Sequence, residues 1–386
     1  MKILVITDKL YPDECGGSCT VAYETIREWQ KNNEVDIFTI KKTKTSRDEL
    51  FKGKIYRELN KANVFKSGYK LSQILRKNKY DIILFHSVIS WYIYNLSRFF
   101  YKKNIMTIAI FHGPWSKEAI YKYQGKKQKI KEKVLPKLML LLEKKYVEKN
   151  SCFIFLSEYM KNELEQINSK LKYKKTYIIP GGIDIEKYKR QYTKQRAKEL
   201  LKIDYSKKVI FILRRLDKRM GIDDAIEAFS KIDENERNEY EIIVGGKGNY
   251  LNCLKKIADK YNVNVRFEGF IPDEKLNMYF CATDLFIVPS KDLEGFGLVN
   301  LESLAMGVPV LARPQGGMIE LKNKFNNFFL SENMGIEELK NKIIELSNRF
   351  KNKIIEENMN EYSWKNISSN YIKIFEELLN NENRKN

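Results

Sequence analysis

Short apolar runs recur along the chain, separated by longer stretches whose apolar positions return every three or four residues. In the first half the runs fall at 3–7, 35–40, 82–85, 106–111, 152–156 and 177–179. In the second half they fall at 209–213, 241–244, 265–267, 285–288 and 308–311. Strands alternating with helical stretches predict parallel sheets with helices on both faces, and two such sets predict two Rossmann-like domains. The length of 386 residues agrees, at roughly 100–200 residues per domain. The polar stretch 185–207 reads as a linker. The predicted domains are therefore 1–187 and 188–362, with an amphipathic helix at about 363–380 and a frayed tail over 380–386.

Beyond the run 285–288 the chain reads Pro289-Ser-Lys-Asp-Leu-Glu294-Gly295-Phe296-Gly297-Leu298-Val-Asn-Leu-Glu302-Ser-Leu-Ala-Met-Gly307-Val-Pro309. The pattern Leu298, Leu301, Ala305 predicts a helix that stops at Gly307 with Pro309 behind it. Strand, glycine turn and helix together present backbone N–H groups at a helix N-terminus, where a phosphate binds. Glu294 lies in the loop before that helix. Glu302 lies about a turn and a half inside it, and helical side chains lean towards the N-terminus, so both carboxylates address one bound group. A phosphate cradle with two hydrogen-bond acceptors for sugar hydroxyls suits a nucleotide-sugar.

These residues resemble the signature of the retaining glycosyltransferases of family 4, of the GT-B type: a Glu, seven residues, a Glu, with Gly-Phe-Gly after the first. Pro289-Ser290 before it, Ala305-Met-Gly-Val-Pro-Val310 after it and Gly316-Gly317 beyond strengthen the match, which extends along nearly the whole chain. The resemblance implies an α/β fold of two Rossmann-like domains facing a central cleft, with the C-terminal helix crossing back to the first domain. It implies that Glu294 holds the donor sugar's hydroxyls and Glu302 the ribose, while Gly295, Phe296, Gly297 and Leu298 cradle the donor. His112, followed by Gly113, matches the position beside donor sugar and acceptor, and Gly16 and Gly17 match the pair beside the donor diphosphate. His86, the only other histidine, has no such match and reads as structural.

The stretch 210–221 resembles the family's diphosphate clamp, Gly-Arg-Leu, three residues, Lys-Gly. Arg215 takes the arginine position, and a planar guanidinium suits a diphosphate. Arg214 stands at the clamp's glycine position and Met220 at its lysine position. Arg219 is the expected substitute for the second cation, with Lys218 in reserve. Gly245-Gly246-Lys247-Gly248 and Gly269-Phe270-Ile271-Pro272 are further candidates for the nucleotide. No strict Asp-X-Asp or Walker motif occurs, so the expected chemistry uses no metal and no cofactor beyond the nucleotide-sugar itself.

The net charge of +20 is uneven. Residues 1–200 hold 42 Lys and Arg against 21 Asp and Glu, a net +21, and the rest is near neutral. A basic first domain points to an anionic acceptor or an anionic membrane surface. Residues 126–149 put lysines around Leu138, Leu141 and Leu142, either as a helix lying on such a membrane or as one buried on its own sheet. The five scattered cysteines, 15, 19, 152, 253 and 281, read as reduced thiols. The start enters a strand with no leader pattern, and no apolar run approaches the about 18 residues of a membrane span.

The expected protein is thus a retaining, metal-independent glycosyltransferase, cytoplasmic and peripheral at the inner membrane face. It would move a sugar from a nucleoside-diphosphate-sugar, UDP- before GDP-, to a glycan or lipid-linked acceptor, by front-face attack assisted by the leaving phosphate. Two alternatives stay open. One is a degenerate relative that binds nucleotide-sugar without turnover, which Met220 raises. The other is a basic nucleic-acid-binding protein, for which charge is the sole support and steeply salt-dependent DNA binding the sign.

Overall fold

The computed structural model describes residues 1–11, 16–40, 50–123 and 129–383. Cys15, Lys126, Lys127 and the last residues of the expected tail lie outside them, as do the side chains of Lys129 and Lys131. The chain divides into two compact units: Met1–Gly182 with the stretch that begins at Tyr362, and Ile183–Glu361.

The first unit holds seven parallel strands, β1 Lys2–Ile6, β2 Glu34–Ile40, β3 Ile55–Leu59, β4 Ile82–Phe85, β5 Met106–Phe111, β6 Cys152–Phe155 and β7 Lys175–Ile178. Their order is β3-β2-β1-β4-β5-β6-β7. The chain reverses its direction of travel between β1 and β4, and open α/β sheets bind ligands beyond the strand ends at such a switch. Central strands are mostly apolar because helices cover both faces; Ile3, Leu4, Val5, Ile82, Ile83 and Leu84 are wholly buried. β3 was not expected. It is an edge strand whose Arg57 and Glu58 interrupt the apolar run, and its first four residues are only half buried.

The second unit holds six parallel strands, β8 Lys208–Leu213, β9 Tyr240–Gly245, β10 Val265–Gly269, β11 Leu285–Val288, β12 Val310–Ala312 and β13 Phe328–Leu330. Their order, β10-β9-β8-β11-β12-β13, puts the switch between β8 and β11. The three-residue edge strand β13 is too short to stand out in the sequence.

The stretch 185–207 is not a linker but part of the second unit. It forms the helix Lys194–Leu200, capped by the Thr193 hydroxyl. Lys194 and Lys198 are buried against Asp284, at 2.8 and 3.5 Å. The Arg190 guanidinium donates to the carbonyls of Met306 and Cys281 at 2.7 and 2.8 Å. Polar composition misled because these charges are satisfied inside rather than in water.

The C-terminal helix Trp364–Asn383 belongs to the first unit and runs past the expected end. Trp29, on the helix Gly17–Trp29, is buried against Tyr371 and Phe375, with ring centroids 5.5 and 5.4 Å away. Its indole N–H donates to the Ser368 carbonyl at 3.4 Å.

The helix Lys129–Lys149 is mixed. Tyr146 and Val147 are buried, and Leu142 packs against the core. Val134, Leu138 and Leu141 stay more than half exposed. At spacings of four and three residues these three form one stripe, beside the exposed Lys133 and Lys137.

Candidate functional site

In the second unit, β11 ends at Val288 and the chain turns through residues 289–297 into the helix Leu298–Ala305. Leu293, immediately before Glu294, holds φ +53°, and Gly297 enters the helix at φ +73°. A branched side chain at positive φ costs on the order of 1 kcal/mol or more, so its surroundings must hold it there. Several contacts do so. The Arg219 guanidinium, 7% exposed, donates to the carbonyls of Asp292 and Leu293 at 3.3 and 3.2 Å. The Lys291 amide donates to the Arg219 carbonyl at 2.8 Å, and its ammonium pairs with Asp223 and Asp224 at 3.0 and 2.6 Å. The Gly317 amide donates to the Glu294 carbonyl at 3.0 Å. Gly317 must be glycine because a Cβ would come within 2.2 Å of the Gly295 carbonyl oxygen. No side chain caps the helix, and a helix N-terminus left so is suited to an anion.

Glu294 is 7% exposed. One of its carboxylate oxygens accepts from the Ser290 hydroxyl at 2.9 Å and forms an ion pair with Arg214. Glu302 keeps part of its surface exposed, while its carboxyl group is enclosed by protein. Burial pushes that carboxyl up to about 7, against Lys187 and a hydrogen bond from the Tyr188 hydroxyl. Arg215 is about half exposed and pairs with Asp217 at 2.7 Å. Phe296 is buried, and Gly295, Phe296 and Gly297 form the turn itself. Met220, 6% exposed, has no charge to offer.

The first unit places its candidates at the ends of β1, β4 and β5. Gly16 holds φ +142° and opens the helix Gly17–Trp29, again with no side-chain cap. His112 follows β5 and His86 follows β4. The His86 Nδ1 and His112 Nε2 atoms are hydrogen-bonded at 3.0 Å, and the rings stack with centroids 5.2 Å apart. Burial holds the imidazole of His86 well below its ordinary value, with His112 adding to it, and brings His112 down to about 4. Both are neutral at pH 7, so in their hydrogen bond one ring donates and the other accepts.

Sequence reasoning missed four partners: Arg214 and Ser290 on Glu294, His86 on His112, and Tyr188 on Glu302. Arg214 left a trace as one of four cations within 214–219. Among the described residues no group of three or more His, Cys, Asp or Glu is arranged to hold a metal ion. Cys152 and Cys281 are buried free thiols and Cys253 an exposed one, and Cys19 is buried.

Comparison with known proteins agrees in fold and family. Residues 15–187 match the family Glycosyltransferase Family 4, and residues 193–365 match Glycosyl transferases group 1. Over 185 residues the chain is 31% identical to the alpha-monoglucosyldiacylglycerol synthase of Streptococcus pneumoniae. That match covers 46% of this chain and 41% of the synthase, so the chain spans about two fifths of that relative. Among solved structures, the sucrose-phosphate synthase of Thermosynechococcus elongatus superposes with a TM-score of 0.77 at 20% identity, covering 98% of each chain. HepE of Anabaena, solved in complex with UDP, superposes with a TM-score of 0.73 at 18% identity, covering 98% of this chain and 100% of that one. At such identities these structures speak for the fold alone: two Rossmann-like units of the GT-B type. The chain belongs to the family 4 glycosyltransferases.

Proposed function

We propose that the protein moves a sugar from a nucleoside diphosphate to an acceptor hydroxyl with retention of the anomeric configuration. The observation that carries this reading is the loop after β11. Glu294, the glycine turn and the uncapped helix bearing Glu302 meet at the switch between β8 and β11. In this reading Glu294 and His112 are the catalytic residues. Glu294 accepts from the sugar hydroxyls, and its charge favours the transition state in which the sugar becomes cationic. His112, neutral, lies at the reacting face, and His86 fixes its ring. Glu302 accepts from the ribose. Gly16, Gly17 and the turn 295–298 offer backbone N–H groups to the diphosphate, and Arg215 leaves Asp217 to join them. No metal takes part, because helix N-termini and guanidinium groups offset the leaving charge.

UDP is proposed before GDP as the donor nucleotide. A lipid-linked or other anionic glycan precursor is favoured as acceptor. The basic first half and the stripe Val134, Leu138 and Leu141 support a cytoplasmic protein held at the membrane surface, and the pneumococcal relative is named for a diacylglycerol product. Among the described residues no helix is long and apolar enough to cross a membrane.

The test is a thermal-shift panel of nucleotide-sugars followed by turnover assays with and without EDTA. A donor at 100 times its Kd raises stability by about 2.7 kcal/mol. Proton NMR of the product should show the donor's anomeric configuration, and EDTA should leave the rate intact. An inverted product, or activity abolished by EDTA and restored by manganese, overturns the mechanism. A second reading, binding without turnover, draws on the Arg214–Glu294 pair. It predicts a thermal shift with no transfer or donor hydrolysis.

A further inference from the structure

The turn after β8 carries three arginines in six residues, and their surroundings separate them. Arg215 is exposed on Asp217. Arg219 is committed to the carbonyls of Asp292 and Leu293. Arg214 has a side chain only 7% exposed, and its Nη2 meets three groups: the Glu294 carboxylate, the Ser290 hydroxyl at 3.0 Å and the Met220 sulfur at 3.4 Å. Its Nε is buried with no hydrogen-bond partner among the described residues.

The root of this side chain is fixed. The Arg214 amide donates to the Gly245 carbonyl at 3.1 Å, and the Leu216 amide donates to the Lys247 carbonyl at 2.9 Å. Gly246, at φ +127°, lies so close that a Cβ would come within 1.8 Å of the Arg214 carbonyl oxygen. Gly245-Gly246-Lys247-Gly248 thus serves the packing of this turn.

Two departures from the clamp pattern now explain each other. A lysine at 220 would bring its ammonium near the place where the Met220 sulfur lies. The Arg214 guanidinium lies there instead, reaching in from the position that the pattern reserves for glycine. A thioether is a weak acceptor with no charge. A buried N–H without an acceptor costs free energy, which an incoming anion would recover.

We propose that Arg214 is the second cation of the donor site. Its Nε edge donates to the diphosphate while its Nη2 holds Glu294 for the sugar. The assignment rests on the donor-site reading above and revises the expectation of Arg219, which becomes a positioning residue for the Glu294 loop. One guanidinium then joins the two ends of the donor, so a bound diphosphate and a correctly placed Glu294 depend on each other.

The experiment is calorimetric titration of UDP, GDP and ADP into wild type, Arg214→Gly, Arg214→Met, Met220→Lys and the double variant Arg214→Gly/Met220→Lys, with Tm recorded for each. For the nucleotide that binds tightest, Arg214→Gly and Arg214→Met should lose about 10- to 100-fold in affinity. The corresponding monophosphate should lose less. The double variant, which restores the clamp pattern, should recover to within about threefold of wild type. Arg214→Met keeps the volume and serves if Arg214→Gly fails to fold. Wild-type affinity in either Arg214 variant overturns the proposal while the donor-site reading stands. A folded double variant that stays as weak as Arg214→Gly also overturns it, leaving Arg214 as support for Glu294 alone. A wild type that binds none of the three nucleotides overturns the donor-site reading and this assignment together.

Discussion

Glu294 and Glu302 share a loop and a helix yet stand in different electrostatic settings, and their variants should fail differently. Glu294 is held by an arginine and a serine hydroxyl, so Glu294→Gln should cut kcat by at least about 100-fold, with a smaller change in nucleotide affinity passed on through Arg214. Glu302→Ala should weaken nucleotide binding with a smaller effect on kcat. Steady-state kinetics with product inhibition by the nucleotide separates the two, and wild-type transfer by both variants would remove them from the site. The histidine pair makes a prediction about pH. His112 is neutral in the fold down to about pH 4, whereas an unfolded histidine binds its proton near 6.5. Between those values the unfolded state holds the extra proton, so stability rises with pH across that window. From His112 alone, the loss at pH 5 relative to pH 7.5 should be about 2 kcal/mol, read by urea unfolding. His112→Gln should flatten that dependence. Finding the same slope in the variant would mean that other groups dominate.

Elements were legible in the sequence where burial is uniform, and less so where it is not. The central strands of both sheets showed as plain apolar runs because helices cover them on both faces. The edge strands β3 and β13 escaped, one through Arg57 and Glu58 and the other through its three-residue length. The helix Lys194–Leu200 escaped because its lysines are neutralised by Asp284, a partner 90 residues from Lys194 that no local pattern reveals. The site followed the same rule. Glu294, Glu302 and the glycine turn sit on one contiguous strand, loop and helix, so their spacing, with Pro289-Ser290 before and Gly316-Gly317 beyond, marked them as candidates. Arg214, His86 and Tyr188 act through contacts brought about by the fold. Gly317 tests how far the Glu294 loop depends on such a contact. Gly317→Ala would drive a methyl group into the Gly295 carbonyl. It should cost about 1–3 kcal/mol by denaturant titration, typical of overpacking, and reduce turnover more than it reduces stability. Unchanged turnover would show that the loop can shift without losing its chemistry.

At the scale of the whole molecule, the charge split and the exposed stripe of the helix Lys129–Lys149 predict reversible attachment to anionic membranes. Each lysine near such a surface contributes about 1 kcal/mol, and the apolar residues add a part that salt does not remove. Co-sedimentation with vesicles of graded anionic lipid content should rise with that content. It should fall when Lys126, Lys127, Lys129, Lys131 and Lys133 are changed to Gln. Leu138→Glu with Leu141→Glu should remove the salt-resistant part. Binding that ignores lipid charge in all variants would return the lysines to compositional bias. The docking of Tyr371 and Phe375 on Trp29 carries a consequence for biosynthesis. The first sheet emerges early from the ribosome, yet the helix that covers its Trp29 face comes only after the second unit has been translated. At about 5–20 residues per second the gap is on the order of ten to forty seconds. Throughout that interval a large indole and its apolar surroundings wait for the helix that covers them.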